Sequence, residues 1–193
     1  MNGPAMWFLE YLVNSWLPEG KSGDWRIGRL AVEGDLHQWL LELDIRSGYT
    51  PPGLYTVLSR GDEHWMTDQP RELLDSKQFC DEATGRILIT GLGMGAVPAW
   101  LAQQDRISRI DIVEREADVI GLVWPHLSQR SSKLHLHHAD ALKWQPNSEW
   151  DFAWHDIWPT YPTGEQCREI ADRYAGCVSE QRCWQPFETE ARA

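Results

Sequence analysis

The stretch RILITGLGMGAVPAW, Arg86–Trp100, places three glycines within five positions directly after an apolar run. The run Ile87–Ile89 predicts a buried strand, and from Ala96 onward the apolar residues recur at helical spacing. Glycine is entropically costly in a chain, so this concentration indicates a specialised turn. A strand, a glycine-rich turn and a helix form the geometry in which backbone N–H groups face a ligand. We therefore expect a ligand to bind at this turn.

Composition and charge narrow the classes of protein. The chain has 193 residues, enough for a domain with a real core. Acidic residues outnumber basic residues 29 to 18, and the net charge of −11 repels a phosphate backbone, so no nucleic-acid partner is expected. The four cysteines show neither zinc spacing nor the density of a secreted disulfide scaffold, which favours reduced thiols in a cytoplasm. The apolar N-terminal segment is interrupted by Glu10 and Asn14, so neither a signal peptide nor a membrane span is expected.

The chain divides into two predicted parts, residues 1–78 and 79–193. The first part is β-rich, with a hairpin that turns at Arg60-Gly61-Asp62 and a helix that Asp68 is expected to cap. A short helix is predicted near Trp7–Leu17. The predicted strands lie within WRIGRLAVE, HQWLLELDI and GLYTVLSRGDEHWMT.

The second part alternates strands and helices. Helices are predicted up to about Gln104, over Ala117–Leu127 and over Gly164–Cys177, and no strand is predicted after Thr160. Such alternation predicts an α/β fold with a mostly parallel sheet, here trimmed at its C-terminal end, and a ligand at the carboxyl ends of the strands. The predicted strands lie within RILIT, RIDIV, KLHLHH and WDFAWHDIW.

Two classes of cofactor use a glycine turn of this kind. GLGMGA fits the dinucleotide pattern, and Glu114 ends the next strand about 20 residues further on. A phosphate-binding P-loop is excluded, because no Gly-Lys-Ser or Gly-Lys-Thr follows the glycines. The dinucleotide alternative requires a second nucleotide-binding half, and only 35 residues follow Trp158.

Four successive motifs, ILITGLGMG, IDIVEREADVI, LHLHHADAL and WDFAWHDIW, resemble those of the class I S-adenosylmethionine-dependent methyltransferases. The segment GLYTVLSRGDEHWMTDQPRELLDSKQF is similar to the hairpin and helix of the spermidine synthase (aminopropyltransferase) branch of that superfamily. The resemblance covers residues 53–160. It implies a Rossmann-like methyltransferase fold with an N-terminal β-rich segment and binding of S-adenosylmethionine or its decarboxylated form.

The resemblance also implies which residues bind the cofactor. Gly91, Gly93 and Gly95 would let the backbone approach the ribose and the amino-acid tail, since this cofactor carries no phosphate. A carboxylate at Glu114 offers two oxygens to the two ribose hydroxyls, and we expect it to face solvent when no ligand is bound. Two further residues are expected at the adenine ring: Asp140, which would accept the adenine amino group, and Ala141, which would pack beside the ring.

The reactive end of the site is expected at HDIWP. Asp156 would take the proton of an amine nucleophile or hold its ammonium group. Trp158 and Tyr161 would form the wall of the acceptor pocket, where aromatic faces favour a cation. Asp68 and Glu72 are candidate acids for the same pocket. No metal is expected: His135, His137 and His138 lack a cysteine or acidic partner at a recognisable spacing.

Three functions remain open at this level. The first is methyl transfer to a small-molecule acceptor, the second is aminopropyl transfer, and the third is adenosyl binding without catalysis. Aminopropyltransferases usually carry an aspartate where this chain has Met94, so intact S-adenosylmethionine is the expected donor. Thr90 stands where many methyltransferases carry an acid. The tryptophan content and the short predicted sheet favour a homodimer.

Overall fold

The computed structural model describes residues 12–34 and 50–185. Its N-terminal sheet is antiparallel, with the strands in chain order. These are β1 (Gly20–Ser22), β2 (Trp25–Val32), β3 (Gly53–Arg60) and β4 (Glu63–Thr67). The strands predicted in WRIGRLAVE and over residues 53–67 are confirmed, whereas HQWLLELDI lies outside the described residues.

The second sheet has five strands, β5 (Gly85–Thr90), β6 (Ile107–Glu114), β7 (Leu134–His138), β8 (Trp150–His155) and β9 (Val178–Cys183). All five are parallel, in the order β7-β6-β5-β8-β9. The helices are α1 (Pro70–Glu82), α2 (Ala96–Leu101), α3 (Ala117–Leu127) and α4 (Gly164–Tyr174). The predicted α/β fold is therefore confirmed.

The middle strands of the parallel sheet carry apolar side chains on both faces, and both faces are covered by other parts of the chain. Ile87, Leu88 and Ile89 of β5 are at most 1% exposed, as expected for a parallel strand covered on both sides. Helix α3 buries Val119, Val123 and Leu127, which recur every four residues and form one face of the helix. Helical periodicity in the sequence is sufficient to place this element correctly.

The strand β9 corrects the prediction that no strand follows Thr160. It pairs with β8 in parallel register, from Trp150 with Val178 to His155 with Cys183. Its sequence, VSEQRC, lacks the apolar run used to recognise the other strands. An edge strand has one neighbour and exposes many of its side chains, so pairing does not require such a run.

Asp68 corrects a second prediction, because it does not cap α1. Gln69 precedes the helix without a side-chain cap. The Asp68 carboxylate instead accepts the N–H of Val13 at 3.0 Å and the N–H of Thr56 at 2.6 Å. Burial raises the pKa of Asp68, and these hydrogen bonds oppose the rise. Asp68 therefore joins the segment preceding β1 to the N-terminal sheet.

The predicted helix near Trp7–Leu17 is not seen in its described part. Residues 12–17 form a turn in which the N–H groups of Trp16 and Leu17 both donate to Val13. Residues 7–11 lie outside the described part of the chain.

The two sheets share one hydrophobic core. Trp25 and Leu58 of the N-terminal sheet lie in the same buried cluster as Ile87 and Ile89 of the parallel sheet. Helix α1 spans the boundary predicted at residues 78 and 79. The division into 1–78 and 79–193 stays a prediction.

A buried chain of hydrogen bonds joins β5, β8 and β9. His155, fully buried at the end of β8, lies 3.0 Å from the Thr90 hydroxyl through Nδ1 and 3.0 Å from Gln181 Oε1 through Nε2. Since the amide oxygen of Gln181 only accepts, Nε2 carries the proton and Nδ1 accepts from Thr90. Burial lowers the pKa of His155 to about 4. His155 is therefore neutral at pH 7.

Replacement of His155 by Phe is expected to lower the free energy of unfolding at pH 7 by about 1–3 kcal/mol, because Thr90 and Gln181 lose a buried partner. The neutral His155 side chain contributes fully to the free energy of unfolding above the pKa of about 6.5 that it has in the unfolded chain. This contribution is lost as the pH falls toward about 4, the pKa of His155 in the folded protein. The difference between wild type and His155→Phe should therefore shrink between pH 6.5 and 4 in denaturant titrations. His64→Phe, at an exposed site of β4, is the control and should change stability by less than about 0.5 kcal/mol. A stability difference between wild type and His155→Phe that stays constant with pH would contradict the lowered pKa of His155.

Candidate active site

The glycine loop, residues 91–95, lies between β5 and α2 at the carboxyl end of the central strand. Gly91 has φ 93°, and a Cβ there would lie 1.9 Å from the carbonyl oxygen of Asp156. Gly93 has φ 50°, and a Cβ there would lie 2.4 Å from Met66 Sδ. These two glycines allow the end of β8 and the strand β4 to contact the loop closely.

The N–H groups of this loop are largely used within the protein. Leu92 N–H donates to Glu114 Oε2 at 2.8 Å, and Met94 N–H donates to Met66 Sδ at 3.3 Å. The N–H groups of Gly91 and Gly95 donate to backbone carbonyls. Most of the loop's N–H groups therefore have partners within the protein, and binding of a ligand at this turn stays a prediction. The thioether of Met66 is a weak acceptor, which a ligand oxygen could replace.

Glu114 holds this loop from the end of β6. Its carboxylate accepts three backbone N–H groups, those of Leu92 at 2.8 Å, Arg115 at 2.7 Å and Glu116 at 2.8 Å. The residue is 9% exposed, so the expectation that it faces solvent without ligand is wrong. A carboxylate has about four lone-pair sites, so Glu114 retains capacity for a further donor.

A cavity opens at the carboxyl ends of the parallel strands, beneath the N-terminal sheet. This is the position at which parallel α/β sheets bind ligands, where strand order reverses on either side of β5. The structure brings nine of the predicted site residues to this cavity: Gly91, Gly93, Gly95, Glu114, Asp140, Ala141, Asp156, Trp158 and Glu72.

Two predicted site residues lie elsewhere. Asp68 is fully buried between the segment that precedes β1 and the strand β3, where its two carboxylate oxygens accept the N–H groups of Val13 and Thr56. Tyr161 is 44% exposed and donates its hydroxyl to Asp75 Oδ2 at 2.7 Å. Neither residue lines the cavity.

Two acids in the cavity have strongly raised pKa values. Burial raises the pKa of Glu72 to about 7, against hydrogen bonds from the hydroxyl and the N–H of Thr67. Burial also raises the pKa of Asp156 to about 7, with the charge of Glu72 as the second cause. Both carboxyl groups therefore change protonation state near neutral pH. Acids of this kind are candidates for proton transfer.

Asp140 also caps a turn. Its carboxylate accepts the N–H of Leu142 at 3.0 Å and lies 3.2 Å from Lys143 Nζ. These contacts lower its pKa, although burial opposes them. Asp140 is therefore ionised at the cavity edge, beside the buried Ala141.

A β-bulge adds residues that the sequence analysis missed. Leu58 pairs with Met66 and Ser59 pairs with His64, so Trp65 is the extra residue of β4. Strand alternation would direct Trp65 and Met66 to opposite faces, but both line the cavity. The buried indole N–H of Trp65 has no hydrogen-bond partner among the described residues. No turn or breaker residue within β4 signals the bulge.

Trp184 is a second missed residue of the cavity wall. It directly follows β9, and its indole N–H donates to Asp75 Oδ2 at 3.1 Å. Recognition of Trp184 from sequence would have required recognition of β9.

Comparisons with known proteins bear on the fold. No protein-family model matches the chain, and no curated protein matches it. Among solved structures it is similar to spermidine synthase from Thermotoga maritima, with TM-score 0.51 and 16% identity, over 84% of this chain and 53% of that chain. The N-methyltransferase NodS from Bradyrhizobium japonicum WM9, in complex with S-adenosyl-L-homocysteine, matches with TM-score 0.43 and 18% identity, over 55% of this chain and 53% of that chain. The DhpI-SAM-HEP complex matches with TM-score 0.44 and 15% identity, over 54% and 47% of the two chains.

At these identities the likeness is one of fold. The chain has the Rossmann-like fold that spermidine synthase exemplifies, which confirms the fold that the motif resemblance implied. The chain spans about half the length of the solved structures that it matches. In the part of the chain that the structure describes, no helix combines the length and apolarity needed to cross a membrane.

Replacement of Glu114 by Ala is expected to lower the free energy of unfolding by about 2–4 kcal/mol, because three backbone N–H groups lose their acceptor. Charge reversal in Glu114→Lys should destabilise the fold for the same reason. Glu116→Ala, which removes a partly exposed carboxylate two residues further along the chain, is the matched control and should cost less than about 1 kcal/mol. Equal urea midpoints for Glu114→Ala and wild type would show that Glu114 does not hold the loop.

Proposed function

We propose that this protein is a transferase that uses S-adenosylmethionine to modify a small amine acceptor. The observation that carries the proposal is the cavity itself, which joins a glycine loop, a strand-end glutamate and two acids with pKa values near 7. The fold shared with spermidine synthase supports the same class of chemistry.

The residues of the cavity suit an adenosyl sulfonium. Glu114 would accept the ribose hydroxyls, Asp140 would accept the adenine amino group, and Ala141 would pack beside the ring. Gly91, Gly93 and Gly95 would let the backbone of the loop lie against the ribose and the amino-acid tail. The bound S-adenosylmethionine would supply an electrophilic carbon on a positively charged sulfur.

Asp156 and Glu72 would prepare the acceptor. An ammonium group is attracted by carboxylates, but it attacks only after it loses a proton. With pKa values near 7, one member of this pair can take that proton at neutral pH. The aromatic faces of Trp158 and Trp184 would stabilise the cationic acceptor and exclude water.

Aminopropyl transfer from decarboxylated S-adenosylmethionine is the second candidate. It is favoured by the likeness to spermidine synthase and by the acidic wall, which suits a polyamine. Intact S-adenosylmethionine is preferred because Met94, 1% exposed, supplies no carboxylate at the glycine loop.

A homodimer and a cytoplasmic location stay predictions. On the described surface, the exposed large apolar side chains are Leu54 and Tyr161.

The cofactor assignment is tested by calorimetry with S-adenosylhomocysteine and NAD. The wild type should bind the adenosyl thioether, and Gly93→Ala should weaken that binding by about 10-fold or more, since the new Cβ displaces Met66 across the loop. Gly121→Ala adds a methyl group in open space and is the control. Binding of NAD without binding of any adenosyl sulfur compound would overturn the proposal.

The role of Asp156 is tested by turnover. Asp156→Asn should lower kcat about 10²–10⁴-fold, the usual scale for a positioned acid–base group. The wild-type rate should rise with pH through about 7, because the neutral carboxylic acid of Asp156 cannot accept a proton. The rate of the Asp156→Asn variant should not show this rise with pH.

Asp62→Asn, on the exposed hairpin turn, is the control for lost charge and should keep wild-type turnover. Intact and decarboxylated S-adenosylmethionine are compared as donors in the same assay. Thioether release that requires putrescine and the decarboxylated donor would assign aminopropyl transfer. Binding without turnover of any amine would assign adenosyl binding without catalysis.

A further inference from the structure

Two cysteines that the proposed function does not use lie together beside the cavity wall. Cys167 is in the first turn of α4, and Cys183 is the last residue of β9. Cys183 Sγ lies 3.9 Å from the carbonyl oxygen of Cys167, and Gln185 Nε2 lies 3.9 Å from Cys167 Sγ. Both thiols are free and partly exposed.

The two thiols also interact electrostatically. Burial raises the pKa of Cys183 to about 12, and a hydrogen bond to Cys167 and the charge of Cys167 add to the rise. Cys183 therefore keeps its proton at neutral pH, so attack on an external disulfide starts from Cys167.

The other two cysteines have different surroundings. Cys80 is fully buried in the main hydrophobic core. Cys177 donates to the carbonyl oxygen of Tyr174 at 3.4 Å, and burial raises its pKa. Among the four cysteines, Cys167 and Cys183 thus combine mutual contact with access to solvent.

We propose that Cys167 and Cys183 form a redox-active dithiol, which closes to an intramolecular disulfide on reaction with a small-molecule disulfide such as oxidised glutathione. The Cys167 thiolate attacks one sulfur of that disulfide, forms a mixed disulfide and releases one glutathione thiolate. Cys183 then transfers its proton to that glutathione thiolate and attacks Cys167 Sγ; the second glutathione leaves as a thiolate and takes up the proton that Cys167 had released to solvent. The two cysteines lose two electrons in total, and one glutathione disulfide is reduced to two thiols.

The position of this dithiol connects it to the cavity. Trp184 directly follows Cys183, donates its backbone N–H to His155 at 2.8 Å and donates its indole N–H to Asp75. The ring of Trp184 also packs against Tyr161, with centroids 4.4 Å apart. A disulfide would fix the end of the edge strand to α4 and so restrict the cavity wall that Trp184 forms. This inference does not depend on the proposed function.

The test uses the reduced full-length protein, incubated with oxidised glutathione and analysed by intact mass and peptide mapping. The wild type should lose two hydrogens and yield a Cys167–Cys183 crosslinked peptide. Cys183→Ser should instead form no crosslink and carry one glutathione on Cys167, whereas Cys167→Ser, which lacks the attacking cysteine, should form neither a crosslink nor an adduct on Cys183. Cys177→Ser is the matched control and should close the disulfide like wild type.

The oxidised wild type should also melt several degrees higher than the reduced protein, because the crosslink restricts the unfolded chain. The Cys183→Ser variant should show no such rise. Glutathione adducts on wild type without a crosslink, a crosslink between a different pair, or no reaction at all would each overturn the proposal.

Discussion

The carboxylate of Glu114 is the contact on which the site depends. It lies at the end of β6 and binds the N–H of Leu92 in the glycine loop that follows β5, so one side chain fixes the ends of two adjacent parallel strands. The same carboxylate accepts the N–H groups that lead into α3. Burial of an ionised carboxyl is costly, and three backbone donors offset that cost. The geometry of the loop is thereby set before any ligand binds.

The second constraint is the close approach of other elements to that loop. The carbonyl oxygen of Asp156 occupies the space of a Gly91 side chain, and Met66 Sδ occupies that of Gly93. The close packing of other elements of the same chain therefore requires these two glycines, whether or not a ligand is bound. The N-terminal sheet closes over the loop, and the partial burial of Glu72 and Asp156 in the cavity raises their pKa values toward 7. The N-terminal sheet thus both closes the cavity and contributes to the raised pKa values of its two acids.

Much of the fold and part of the site could be predicted from sequence, and the errors have physical reasons. The apolar run of β5 and the four-residue period of α3 were sufficient, because burial imposes these patterns directly. The edge strand β9 was missed because exposed pairing leaves no apolar run. Asp68 was assigned to a helix cap from its position before Pro70. The Asp68 carboxylate instead accepts hydrogen bonds from the buried N–H groups of Val13 and Thr56. Both residues are distant from Asp68 in the sequence, so no local pattern predicts this contact.

The sequence by itself determined the order of strands and helices from β5 to β8, the glycine loop after the central strand, and the acids at the carboxyl ends of β6 and β8. These features follow from local periodicity and from the meeting of parallel strand ends at one edge. Only the tertiary structure decided that Glu114 faces the loop rather than solvent, that a bulge directs Trp65 into the cavity, and that Tyr161 lies outside it. The reason is that side-chain environment depends on contacts between elements distant in sequence, which no local pattern encodes.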